Sequence, residues 1–307
     1  MEREFLRRLL PRLPGHPRLL LGPGDDAALL ALAKENACVV TTDMLMDGVD
    51  FELARHNPQR IGRKSLAVNL SDLAAMAARP VGAVISLALP RSGGENLALQ
   101  LYDGLIPLAE EYETAIAGGD TNSWDGPLVI SITAIGEVVP GNEWRRSKAR
   151  PGDEILVTGS FGGSILGKHF DFTPRVREAL LLAERYEIQA AMDVSDGLSL
   201  DLSRLCEASG CGAVLDLSQI PIAPAAHELS AQNPDGVAPL DHALSDGEDF
   251  ELILAVAPAV AEKILAIQPL GVSLTRIGRF VEVPGLWHQT GGGPLQPLAP
   301  RGYEHQL

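Results

Sequence analysis

The chain has 307 residues, 46% apolar and 21% charged, a balance that suits a soluble globular protein of two domains. Its net charge of −15 argues against a nucleic-acid binder, because neutralising a phosphate backbone needs Lys and Arg. Small phosphorylated ligands stay open if divalent cations stand between carboxylate and phosphate.

From the amino terminus, charge interrupts MEREFLRRLLPRLP every few residues, so no secretory signal is expected there. Phe5, Leu6, Leu9 and Leu10 fall at helical spacing and predict a short surface helix. The turn GPGDDAALL then sets two adjacent acids, Asp25 and Asp26, against an apolar run. Strands are predicted at CVVTT (38–42), VGAVISLAL (81–89), TAIAG (114–118) and LVISITAIGEV (128–138), with helices at about 60–78 and 95–112. Such apolar runs are far shorter than the ~20 residues of a membrane span, so no membrane segment is expected.

Pro151-Gly152, in the basic stretch WRRSKARPGD, punctuates the chain and predicts a domain boundary near residue 150, dividing 1–148 from 149–307. Beyond it come a strand EILVTG (154–159), a Gly-rich turn TGSFGGSILG (158–167), a strand AAMDV and a helix from about Leu198 to Ala208 with Gly210 at its C′ position. The Gly-rich turn could nest an anion, although it lacks the GK[ST] of a Walker motif. GAVLDL and FELILAV read as further strands. Strands mixed with helices in both halves indicate an α/β (α+β) fold. Cys38, Cys206 and Cys211 show no CxxC spacing, which fits a reducing, cytoplasmic setting.

Acids recur where apolar strands end: GPGDD, TTD (41–43), NLSDLAAM (69–76), GGDTN (118–122), MDVSDG (192–197) and SDGEDFEL (245–252). Each alone reads as a turn or cap; six with one grammar point to a shared site. The helix KSLAVNLSDLAAMAA (64–78) is apolar almost all round, and Ser65, Asn69 and Asp72 form a polar stripe at i, i+4 and i+7. Asp72 is therefore expected to face a polar site, or else to cap a shorter helix. Gathered carboxylates repel by about 4 kcal/mol per pair at 4 Å, and oxygen ligands without His or Cys favour Mg²⁺ as the neutralising cation. The run RRSKAR offers an Arg for polyphosphate.

Together with TTDMLMDGVDF, AVNLSDLAAMAARP, RRSKARPGD and the terminal GYEH, these motifs resemble the thiamine-monophosphate kinase family in order and spacing. That family sits in the ATP-binding superfamily of aminoimidazole ribonucleotide synthetase. The resemblance implies a two-domain aminoimidazole ribonucleotide synthetase-like fold, whose N-terminal sheet forms a barrel with that of a second subunit in a homodimer. It implies ATP with several Mg²⁺ ions in the cleft, and thiamine monophosphate as acceptor. By the same resemblance Asp26, Thr41, Thr42, Asp43, Asp72, Asp120, Asp193 and Asp196 would hold metal, and Gly119, Asp120, Arg146 and Ser195 would contact nucleotide. Asp43, Asp72, Asp120 and Arg146 would carry catalysis, while Asp50, Glu248 and Tyr303 would meet the substrate. Asp50 stands where the family usually has His, and Asp246 where glycine is common. The alternatives are a sister ATP-dependent enzyme or a non-catalytic nucleotide-binding relative.

Overall fold

The structure, a computed structural model, describes residues 2–22, 28–232, 236–289 and 293–304; Asp25 and Asp26 lie outside the described residues. The chain divides into two compact units, Met1–Leu73 with Ala78–Glu143, and Ala74–Ala77 with Trp144–Leu307. No helix among the described residues is long and apolar enough to cross a membrane.

The first unit begins with α1 (Glu2–Leu9) and the short antiparallel pair β1 (Leu19–Leu21) and β2 (Leu29–Leu30). There follow β3 (Ala37–Met46), α2 (Pro58–Ala75), β4 (Arg79–Pro90), α3 (Gly94–Glu111), β5 (Ala115–Trp124) and β6 (Val129–Val138). The sheet order is β3-β6-β4-β5, with β4 and β5 parallel and the other pairs antiparallel. Strand alternation gives it two unlike faces. Ile85, Leu87, Ile130 and Ile132 are buried on one, whereas Val40 and Met44, each 61% exposed, stand on the other. The buried face is covered by helices, and α2 and α3 touch through glycines. A Cβ on Gly62 would strike the Leu101 backbone, and one on Gly104 the Gln59 backbone. The helix predicted to reach Ala78 stops at Ala75, because Ala77 turns left-handed (φ 52°) and Ala78 N–H closes on the Leu73 carbonyl at 2.8 Å.

The second unit contains β7 (Glu154–Thr158), α4 (Lys168–Asp171), α5 (Val176–Arg185), β8 (Ala190–Asp193), α6 (Leu198–Ser209) and β9 (Gly212–Leu215). It continues with α7 (Pro224–Gln232), α8 (Pro239–Ser245), β10 (Leu252–Val256), α9 (Pro258–Ile267), β11 (Leu274–Val281), β12 (Gly285–His288) and β13 (Gln296–Pro297). Its sheet order is β13-β12-β9-β11-β7-β10-β8. The inner strands β7 and β10 are buried almost throughout, which is why they read as unbroken apolar runs. Leu198, Leu202 and Leu205 of α6 point into the same core. Gly210 ends that helix at φ 67°, and Cys211 N–H returns to the Cys206 carbonyl at 3.1 Å, as the sequence predicts for a glycine at C′.

Candidate active site

In the first unit, alternation along β3 turns Thr41 and Asp43 toward α2 and Thr42 away from it. Asp72 of α2 accepts a hydrogen bond from Thr41 Oγ1. Asp50 closes the turn after β3: its Oδ2 accepts the Met46 N–H (2.7 Å), and its carbonyl accepts from Nζ of the fully buried Lys64 (2.9 Å). Burial, then the charges of Asp72 and Asp50, push the Asp43 carboxyl up to about 7. Asp43 Oδ2 is buried and has no hydrogen-bond partner. A buried, orphaned carboxylate oxygen facing two further carboxylates is costly unless a cation meets it. The donors are all hard oxygens, so the group fits Mg²⁺.

Among the described residues, however, no three His, Cys, Asp or Glu side chains converge tightly enough to hold a metal. Asp26 lies outside the described residues, and Asp120 is elsewhere. It sits on β5 in the register row of Met44, Ser131 and Ser86, at the sheet edge opposite to β3. Three strand spacings make that separation about 14 Å. Within one chain, Asp120 therefore does not join Asp43 and Asp72. The Thr42 hydroxyl also faces away from Asp43: its Oγ1 donates to the Ile132 carbonyl (3.1 Å) and lies 3.1 Å from Thr133 Oγ1.

Gly119 and Asp120 instead line a cavity of about 640 Å³ with Leu9, Tyr102, Ile116 and Ala28. Ala28 is the first described residue after the Asp25-Asp26 pair in the sequence. Tyr102 went unread in the sequence, where an isolated aromatic in an amphipathic helix reads as core. Its ring lies 6.3 Å from that of Phe5, and burial pushes its hydroxyl pKa up.

The second unit assembles most of its expected residues around the turn after β8. Asp193, at the end of that strand, is buried. Glu248 N–H donates to the Ser195 carbonyl (2.7 Å), and Tyr303 N–H donates to the Asp196 carbonyl (2.9 Å). Asp196, Ser195, Glu248 and Tyr303 thus share one loop cluster, with the Tyr303 side chain half exposed. Glu248 (φ 60°) and Phe250 (φ 52°) are both left-handed, a conformation costing a non-glycine residue roughly 1–2 kcal/mol. Unlike Asp43, Asp196 already has a cation, the Arg204 guanidinium. Arg204 also pairs with Asp201 (2.9 Å), whose Oδ2 accepts the Asp196 and Gly197 N–H groups. Burial pushes the Asp201 carboxyl up to about 6.

Arg146 stands apart. Ser209 Oγ donates to its carbonyl (2.6 Å), so its backbone is fixed at the carboxyl end of α6. Asp196 precedes the other end, about 16 Å away at 1.5 Å per residue. The Gly-rich turn at 158–167 is not an open nest. Gly162 N–H donates to Asp249 Oδ2 (2.9 Å) and Gly163 N–H to Asp246 Oδ2 (2.7 Å), so the chain's own carboxylates fill it. Asp246 also meets His242 Nδ1 at 3.0 Å, which gives it a structural part where glycine is the family habit.

Two family models, AIR synthase related protein N-terminal domain and C-terminal domain, match residues 24–138 and 150–289. A thiamine-monophosphate kinase of Rhodopirellula baltica is 42% identical over 99% of this chain and 97% of its own length. The chain belongs to the thiamine-monophosphate kinase family. Among solved structures, the family member from Stenotrophomonas maltophilia K279a matches with a TM-score of 0.78 at 36% identity, covering 93% of this chain and 94% of its own. A structure described as AaThiL complexed with AMPPCP and TMP matches with a TM-score of 0.77 at 25% identity, over 99% and 96%. The mixed α/β two-domain architecture implied by the motifs is thereby that of the thiamine-monophosphate kinase family.

Proposed function

We propose that this chain transfers the γ-phosphoryl group of ATP to the phosphate of thiamine monophosphate, giving thiamine diphosphate. The observation that carries the reading is the end-to-end match, at 42% identity, to a thiamine-monophosphate kinase. The acceptor phosphate is largely ionised at neutral pH, its second pKa being about 6, so no general base is needed. What the chain must supply is alignment of two polyanions and relief of their repulsion.

In this reading Asp43 and Asp72, with Thr41 donating to Asp72, hold divalent cations. Bound Mg²⁺ supplies the positive charge that the phosphates and carboxylates share. Tyr102, Gly119 and Asp120 line the cavity that takes the nucleotide, and the exposed Arg146 contributes a guanidinium to phosphate. In the second unit Asp193, Ser195 and Asp196 serve metal and nucleotide, and Glu248 and Tyr303 hold the thiamine moiety. We assign nucleotide and metal chiefly to residues 1–148 and the substrate contacts to 149–307, in a cytoplasmic enzyme.

The far-edge position of Asp120 gives the expected homodimer a chemical reason. Two sheets joined edge to edge, β3 of one copy beside β5 of the other, would bring the strand that carries Asp120 of a second copy alongside the strand that carries Asp43. The open sheet face bearing Val40 and Met44 would then be covered. Sedimentation velocity should report a dimer, and Val40→Lys should weaken it; a wild-type monomer would sink this arrangement.

The decisive experiment is the purified protein with ATP, Mg²⁺ and thiamine monophosphate, assayed for thiamine diphosphate. Absence of product from folded, dimeric protein refutes the function.

A further inference from the structure

We propose that Lys168, Arg175, Asp249 and Glu251 are positioning residues for the substrate, a buried charge quartet that fixes Glu248 against the Ser195 turn. The inference rests on the function proposed above and names how its substrate contact is held in place.

Glu251 is 2% exposed and Asp249 fully buried. Arg175 grips Glu251 with two bonds, Nε to Oε2 (2.7 Å) and Nη2 to Oε1 (2.8 Å). Thr158 Oγ1 donates to Oε2 (2.7 Å), and Lys168 Nζ lies 3.1 Å from Oε1. Lys168 Nζ also donates to Asp249 Oδ1 (3.3 Å) and to the Ser160 carbonyl (2.8 Å). Two cations thus meet two anions. Burial would lift the Glu251 carboxyl, but Arg175 and Lys168 outweigh it and hold it below the usual range.

The quartet surrounds a stretch where alternate non-glycine residues, Glu248 and Phe250, are left-handed. Their N–H groups donate to Ser195 and Val194 carbonyls (2.7 and 2.8 Å), and Val194 N–H returns to the Glu251 carbonyl (2.9 Å). Phe250 stacks on Phe172 with ring centroids 4.0 Å apart. Glu248 is therefore clamped from one side by charge and stacking, and by backbone bonds to the Ser195 turn from the other. Apolar residues could fill such a site with no loss of stability, so charges kept beside a strained, substrate-facing residue favour a geometric duty over mere cohesion.

The test is steady-state kinetics and calorimetric titration on Arg175→Met, Arg175→Lys and the milder Lys168→Met. KM does not depend on the fraction of enzyme that is folded, so it separates positioning from stability. Expected for Arg175→Met is a rise of roughly tenfold in KM and Kd for thiamine monophosphate, the size of effect a displaced contact group brings. KM for ATP should change less than about twofold. Arg175→Lys should lie between, since one bond replaces two. If Arg175→Met does not fold, Lys168→Met carries the test with the same sign. Unchanged thiamine-monophosphate KM and Kd in a folded variant that has only lost thermal stability overturns the proposal. A wild-type protein that neither binds nor phosphorylates thiamine monophosphate overturns instead the function on which it rests.

Discussion

Two groups of acids, one in each unit, are answered in opposite ways. In the first, Asp43 faces Asp72 and Asp50, and one of its buried oxygens bonds to nothing. In the second, Glu251 is met by Arg175 and Lys168, Asp249 by Lys168, and Asp196 and Asp201 by Arg204. A carboxylate with its own guanidinium has its charge answered within the chain. One left repelling its neighbours is what the proposed function assigns to a cation arriving with the ligand.

The contrast breaks most readily at Asp43. Asp43→Asn should lower kcat by about 10³-fold, the loss expected when charge stabilisation in a transition state is removed. The same change should raise stability by about 1 kcal/mol, or roughly 2–4 °C in calorimetry, because it relieves repulsion. It should also abolish the shift in unfolding temperature that Mg²⁺ with AMPPCP gives the wild type. A variant that is both active and less stable would show that Asp43 is a structural acid.

Glu251→Gln is the opposite case: two cations lose a buried partner, and urea unfolding should show a loss of about 3 kcal/mol. A neutral result would mean that water already screens the quartet. Within the first unit the hydroxyls sharpen the picture. Thr41→Val should cost about tenfold in kcat/KM through loss of its bond to Asp72, while Thr42→Val, bonded away from the acids, should stay within about threefold. Asp50→Asn should have the smallest effect, within about twofold in KM for thiamine monophosphate, because Asn keeps an acceptor for the Met46 N–H.

Much of the fold was legible from pattern alone. β6 and α3 fall within a residue of their predicted limits because period and turn residues agree there. The polar stripe of α2 was legible too, since a lone acid, Asp72, on a nearly all-apolar helix leaves few explanations. The quartet was not legible. Lys168 and Arg175 are separated from Asp249 and Glu251 by some eighty positions, and only tertiary packing pairs them. The separation of Asp120 from Asp43 within one chain was not legible either: strand order, which sends β5 to the far edge, is not written in the local sequence. The Gly-rich turn misled because glycine N–H groups bind any carboxylate, including the chain's own.

The outer edge of β3, unpaired among the described residues, has a consequence of its own. It runs ten residues, Ala37–Met46, without Lys, Pro or a bulge against β6, the features that keep exposed strands from pairing with strangers. In the proposed homodimer, a copy held apart from its mate is then a template for aggregation. Substitutions that block assembly should cloud the solution instead of yielding a well-behaved single subunit.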